Sequence, residues 1–305
     1  MTVRVYRSSQ AGAPVLTSTP GSLIALLDAC LVDGYGSMAG SGWTKPFADD
    51  TNRAAYRQPV GSNLHYFHVD DNDSAGYFAN VLGYEDMTSS FAGTGQFPTP
   101  GQAPNRLFII KSPNGQTGQG WTLVCNGPTF YLAIYAQTQR SGGACFIGFG
   151  AGNSFKQGDA FCTFTMCYGN SQAYSTTHMT LQSSLGENGG LGAHIARTYT
   201  QLGGSVSMNK TSDYAKGGAG LFGTIGTTFP SPIDGGLYYA PVWMGEETPV
   251  KALRGIIPGI WNPLHISPLS DAATFEGTGI TAGKSFEAIS LYPNGQIFVE
   301  ISDTW

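Results

Sequence analysis

The sequence predicts a mainly β fold: an antiparallel β-sandwich or barrel-like body with one short N-terminal α-helix and long Gly-rich loops. Three observations carry that prediction. Short runs of aromatic and β-branched residues, each ended by Gly, Pro, Asp or Asn, recur along the chain. A single stretch has helical period. Glycine supplies 43 of 305 residues, about twice the usual share.

The elements follow in order. "VRVYRSS" alternates with period two, placing Val3 and Val5 on one face and Arg4 and Tyr6 on the other, as a strand does. "SLIALLDACLVDGYG" then sets Leu23, Ile24, Leu26, Leu27, Cys30 and Leu31 on one helical stripe. A helix over 22–33 is expected, with Ser22 as its N-cap and Gly34 in a left-handed position after its end. Such a stripe is core-facing rather than a cofactor groove. "GWTKPF", "RAAYRQ" and "LHYFHVDD" are strands, "AGYFANVLGYEDMT" is a longer one, and "RLFIIKS" follows a Gly/Pro loop.

"GWTLVCNG", "TFYLAIYAQT", "ACFIGFG" and "AFCTFTMCYG" are four consecutive strands, a β-meander. In the last, Cys162, Phe164 and Met166 share one face while Thr163, Thr165 and Cys167 share the other, so Cys162 and Cys167 point apart. Residues 170–235 are Gly-, Ser- and Thr-rich and suggest an arm or insertion. Strands return with "LYYAPVWMG", "ALRGIIPGIW", "SFEAISLY" and "GQIFVEIS", the last two a hairpin across Asn294-Gly295. The expected organisation is one domain: 1–169 as an N-terminal body with the helix and meander, 170–235 as the arm, and 236–305 as C-terminal strands completing the body.

Composition narrows the partners. Charged residues are 11% of the chain, against about 25% in an ordinary soluble domain. Much of the surface is therefore expected to be neutral polar or covered by other proteins. Net charge is −5 with no basic cluster, which disfavours nucleic acid. No apolar run approaches the roughly 20 residues that span a bilayer, so no membrane partner is expected. "MTVRVYRSSQ" lacks the apolar core of a secretory signal. The five cysteines (Cys30, Cys125, Cys145, Cys162, Cys167) include no CxxC pair and are expected as buried free thiols.

Local chemistry was weighed at each polar cluster. His65, His68, Asp70, Asp71 and Asp73 form the densest one, and a metal site would suit those residue types. Yet His65 and His68 lie on opposite faces of a strand, and the acidic run lacks EF-hand spacing, so a strand ending in an Asp-rich turn is preferred. "GGAGLFG" and "GAGNS" match no phosphate-binding spacing. No GxSxG is present, the histidines (65, 68, 178, 194, 265) are scattered, and Glu85, Glu187, Glu246, Glu247, Glu276, Glu287 and Glu300 fall at strand ends or loops. No catalytic, cofactor-binding or metal residue is nominated, and no enzyme activity or cofactor is expected. In "GIIPGIWNPLHISPLS", Pro258, Pro263 and Pro268 are expected to block helix and sheet ladder alike. Trp261, Leu264 and Ile266 would then make a packed contact element, with His265 as a hydrogen-bonding partner within it.

"MTVRVYRSSQAGAPVLTSTPGSLIALLDACLVDGYG", followed by "GWTKPF", "AAYRQ" and a strand ending in Asp-Asp, resembles the N-terminal signature of a family of virion structural proteins of tailed bacteriophages. "GYEDMT", "GTGQFPT", "SFKQGDAF", "RGIIPGIWNPLH", "TFEGTGITAGKSF" and "FVEISDTW" are further landmarks of that family, which has no agreed enzymatic activity. The likeness covers nearly the whole chain, least clearly at 170–235. It implies a structural component of a phage particle, in the tail, baseplate or neck, or as head decoration. Such a subunit would assemble in the host cytoplasm with copies of itself and other virion proteins. An adsorption protein binding or cleaving host glycan, with Trp43, Trp121 and Trp243 as stacking platforms, is the alternative. A metal-dependent enzyme using His68 and Asp70 is the third reading.

Overall fold

The computed structural model describes residues 2–72, 78–100, 107–112, 118–135, 145–168, 193–202, 204–209, 237–246, 252–263, 269–291, 295–303 and 305. It is mainly β. Along the chain the strands are β1 (Arg4–Arg7), β2 (Thr44–Ala48), β3 (Arg53–Arg57), β4 (Tyr66–Asp70), β5 (Phe78–Tyr84), β6 (Asp86–Met87), β7 (Gly93–Thr94) and β8 (Leu107–Ile110). The meander follows as β9 (Gly120–Asn126), β10 (Thr129–Tyr135), β11 (Cys145–Ala151) and β13 (Thr163–Tyr168), with the two-residue β12 (Asn153–Ser154) before its last strand. Then come β14 (Ala193–Ile195), β15 (Gly204–Asn209), β16 (Tyr239–Glu246), β17 (Ala252–Pro263), β18 (Thr274–Glu276), β19 (Ser285–Leu291) and β20 (Gly295–Glu300).

Two antiparallel sheets make the body. The smaller has the order β2-β3-β4-β5-β8; the larger runs β1-β9-β10-β11-β13-β14-β15-β16-β17-β20-β19-β18, with β12 beside β17. The larger sheet is open, ending at β1 and β18, so of the two expected architectures the sandwich is the one formed. The four meander strands pair in sequence order, as expected.

Alternation along the meander explains how three layers stack. Leu123, Cys125, Phe130, Leu132, Ile134, Ile147 and Phe149 face forward, onto Ala54, Tyr56, Phe67, Val69, Ala79 and Val81 of the smaller sheet and onto the helix. The intervening Val124, Tyr131, Ala133, Phe146, Phe164 and Met166 face backward, where the same large sheet has folded over itself. There they meet Val242, Met244, Ile257, Ile260, Ile289, Ile297 and Val299. A strand with both faces buried reads as an almost continuous apolar run, as "TFYLAIY" does.

Two sequence expectations at the helix are corrected. The α-helix spans Ser22–Leu27 and continues as a π-helical turn over Asp28–Asp33. Its N-cap is Gly21, at φ 84°, and Ser22 Oγ donates instead to the Thr17 carbonyl at 2.7 Å. A carboxylate from outside the helix does the capping: Leu23 N–H donates to Asp71 Oδ2 at 2.9 Å. Gly34 has the expected positive φ of 87°, but its ψ of 170° sends the chain away extended. A side chain there would collide with the Met38 carbonyl.

The proline-rich segment is also corrected. Through Pro263 it forms β17, a sheet strand of 12 residues. Pro258 is tolerated because the ladder is broken around it. On one side β17 pairs with β16 at Trp261 and again at Ile256, with a register shift between; on the other, β12 takes Gly255 and Ile256 while β20 takes Ile260 and Trp261. A proline at such a bulge forfeits no ladder hydrogen bond. Gly259, at φ 68°, makes room for the Trp305 ring, which lies where its Cβ would be. Leu264, His265, Ile266 and Pro268 lie outside the described residues, as do the Asn294 turn position and most of 170–235. Within that last span, β14 and β15 are strands of the large sheet.

Candidate functional site

The His–Asp cluster of the β4 region is spread over separate surroundings. His68, buried on β4, has Nε2 at 2.8 Å from the Ser90 carbonyl. Asp70 pairs with Arg53 at 3.3 Å. Asp71 turns inward to the helix and to Lys111. His65 is buried between the Phe97 and Phe161 rings. The cluster is thus dispersed over four environments, and Asp73 lies outside the described residues. Among the described residues no group of His, Cys, Asp and Glu is arranged to hold a metal ion.

Desolvation sets the protonation of the buried groups. It pulls the His65 imidazole down from 6.5 to about 4, with Glu85 opposing and Arg197 reinforcing, and pulls His194 to about 4. All five cysteines are buried, and none forms a disulfide among the described residues. Burial raises the Cys125 and Cys162 thiols to about 11 and pushes Cys30 and Cys167 upward as well. They pack as thiols, not as poised nucleophiles.

Of the three tryptophans proposed as platforms, Trp43 and Trp121 are core. Trp43 Nε1 donates to the Gly127 carbonyl at 2.9 Å and Trp121 Nε1 to the Pro14 carbonyl at 3.2 Å. Trp243 is half-buried on β16, its ring 6.0 Å from that of Phe155. Trp261 packs edge-on against Tyr239 and Phe286 and donates to Glu300 at 3.2 Å. Its contact role is internal.

The structure adds a site that the sequence did not mark. Arg254, fully buried, donates through Nε and Nη2 to the two Asp159 oxygens at 2.6 and 2.8 Å, through Nη1 to Glu246, and through Nη2 to the Arg197 carbonyl at 3.2 Å. Glu246 in turn accepts from the Tyr199 N–H, and the Tyr199 ring covers the guanidinium at 4.3 Å. This pin joins the β12–β13 turn, the segment after β14, β16 and β17. Over it lies a partly apolar surface: Phe155 is 54% exposed and Leu253 50%, with Tyr199 donating to the Leu253 carbonyl at 3.3 Å and the Lys156 ammonium 5.9 Å from the Tyr199 ring. The sequence signal was an arginine inside the apolar run "ALRGIIPG", which in a strand implies buried acidic partners.

Among the described residues, ion pairs also occupy Arg7, Lys45, Arg53, Lys111, Arg197 and Lys284, and of these Lys111 is wholly buried like Arg254 while the others are partly exposed. Outside, Ile280 is 97% exposed, Val60 91% and Phe91 71%. No protein-family model matches the chain, and no curated protein matches it.

Proposed function

We propose that this chain is a structural subunit of a tailed-phage virion, acting by burying its neutral exterior against copies of itself and other virion proteins. The observation that carries the reading is hydrocarbon left outside by a chain short of charge. The Arg254–Asp159–Glu246 pin and the Lys111–Asp71 pair are buried, while Phe155, Leu253, Phe91 and Ile280 are exposed. Exposed aromatic and aliphatic anchors with little charge suit a protein interface better than they suit water. The likeness of "RGIIPGIWNPLH" and the N-terminal signature to phage virion proteins supports the same reading. Negative-stain electron microscopy of concentrated purified protein tests it: rings, tubes or lattices are expected, and uniformly single particles would contradict it.

One observation favours a glycan-binding adsorption protein, the partly exposed Trp243–Phe155 ring pair. A glycan array separates the two readings, because an assembly subunit gives no saturable sugar signal.

A further inference from the structure

We propose that Lys111 and Asp71 condense to an intramolecular isopeptide bond, making this pair a self-modification site that cross-links the end of β4 to the end of β8 in the smaller sheet. This goes beyond the assembly role and does not depend on it. Lys111 follows β8 directly and Asp71 follows β4, and β5 lies between those strands, so a bond between them would bridge the sheet. Both side chains are wholly shielded from water, with Nζ in direct contact with Oδ1.

Nucleophile and carboxyl are both held. Nζ also donates to the Thr19 carbonyl at 2.8 Å, and Oδ2 accepts from the Leu23 N–H at 2.9 Å. The Asp71 backbone is fixed too, donating to the Asn52 carbonyl at 2.9 Å and accepting from the Gly21 N–H at 3.2 Å. Locking reactants in contact removes much of the entropic barrier to a bimolecular step.

The chemistry balances within the pair. Taking two charges out of water is costly, and a proton shared inward from Nζ to Oδ1 leaves an amine and a carboxylic acid, both neutral. Burial raises the Asp71 carboxyl above its ordinary range, against the opposing pull of Lys111. The amine lone pair then forms the C–N bond at Cγ, and the charge developing on Oδ2 meets the Leu23 N–H. A proton from the nitrogen joins the Oδ1 hydroxyl, the C–O bond breaks, and water leaves. The product amide needs one acceptor for its N–H and one donor for its oxygen. The Thr19 carbonyl and the Leu23 N–H already occupy those places.

Intact-mass measurement of the folded protein tests the proposal, followed by fragmentation of a proteolytic digest. The expected result is a stoichiometric deficit of one water, with a branched peptide joining the segments around residues 71 and 111. Lys111→Arg keeps a cation beside Asp71 without the nucleophilic amine, and is expected to restore the full mass with an unchanged circular dichroism spectrum. A wild-type mass equal to the sequence mass, or a deficit that fragmentation assigns to any other residues, overturns the proposal. Neither readout on the wild type depends on how the variant folds.

Discussion

The two faces of the meander are held by different physics. In front, rings dominate: Phe149 lies 5.2 to 6.4 Å from Phe67, Trp43, Phe97 and Phe130, with most pairs edge-on or tilted. Behind, the meander's Tyr131, Phe146 and Phe164 meet mostly aliphatic side chains from β16, β17, β19 and β20. The rear seam is closed by ion pairs: buried Arg254 with Asp159 and Glu246, and buried Glu287 with the partly exposed Arg7 and the Tyr135 hydroxyl. A hydrocarbon interface tolerates sliding, whereas a guanidinium gripping two carboxylates accepts one arrangement. The comparison teaches that at the sheet's fold-over, which brings distant strands together, buried charge supplements hydrocarbon packing in fixing register.

Arg254→Ala should have the largest effect. It strands Asp159 and Glu246 in the interior, so a loss of about 3–5 kcal/mol is expected in urea unfolding. An Arg254→Met variant, which strands the same two acids, that proves as stable as wild type would show that the pin contributes nothing to stability on the rear face. Phe149→Ala should come next, at about 3–4 kcal/mol from lost ring contacts and a cavity in front. If it costs less than about 1 kcal/mol, the front is not the ring-packed core described.

Acid sharpens the comparison further. The folded-state values of His65 and His194, about 4, lie below their ordinary 6.5. Below 6.5 the unfolded chain therefore binds protons that the folded chain refuses, and stability falls as pH drops from 6.5 toward 4. Each histidine contributes a slope of up to about 1.4 kcal/mol per pH unit. Unfolding midpoints measured between pH 7 and 4.5 should show this decline, and His65→Gln should make it shallower.

Much of the fold was legible in the letters, and what was not had long-range causes. Strand positions and the meander order follow from local alternation and turn residues, which need no tertiary knowledge. Alternation cannot reveal that "TFYLAIY" is covered on both faces, because the covering strands come from elsewhere in the chain, β3–β5 before it and β16, β17, β19 and β20 after it. Gly21 replaced Ser22 as cap because Asp71, from another strand, supplies the acceptor. Pro258 entered a strand because the ladder opens around it, which depends on β12, β16 and β20 together. At the candidate site, buried thiols and a strand ending at an acidic run were foreseeable; that Asp71 turns inward was not. The Arg254 pin was not, since its acids come from separate turns and strands.

The smallest effect on stability and the most direct test of the central claim come from one surface. Changing Phe155 and Leu253 together to serine should alter unfolding by within about 0.5 kcal/mol, as exposed positions usually do. Sedimentation velocity over a dilution series, run on wild type and on this double variant, measures what that surface is for. Concentration-dependent oligomers of the wild type that the variant loses are the predicted result. A wild type that stays monomeric at every concentration, with its neutral exterior fully wet, would contradict it.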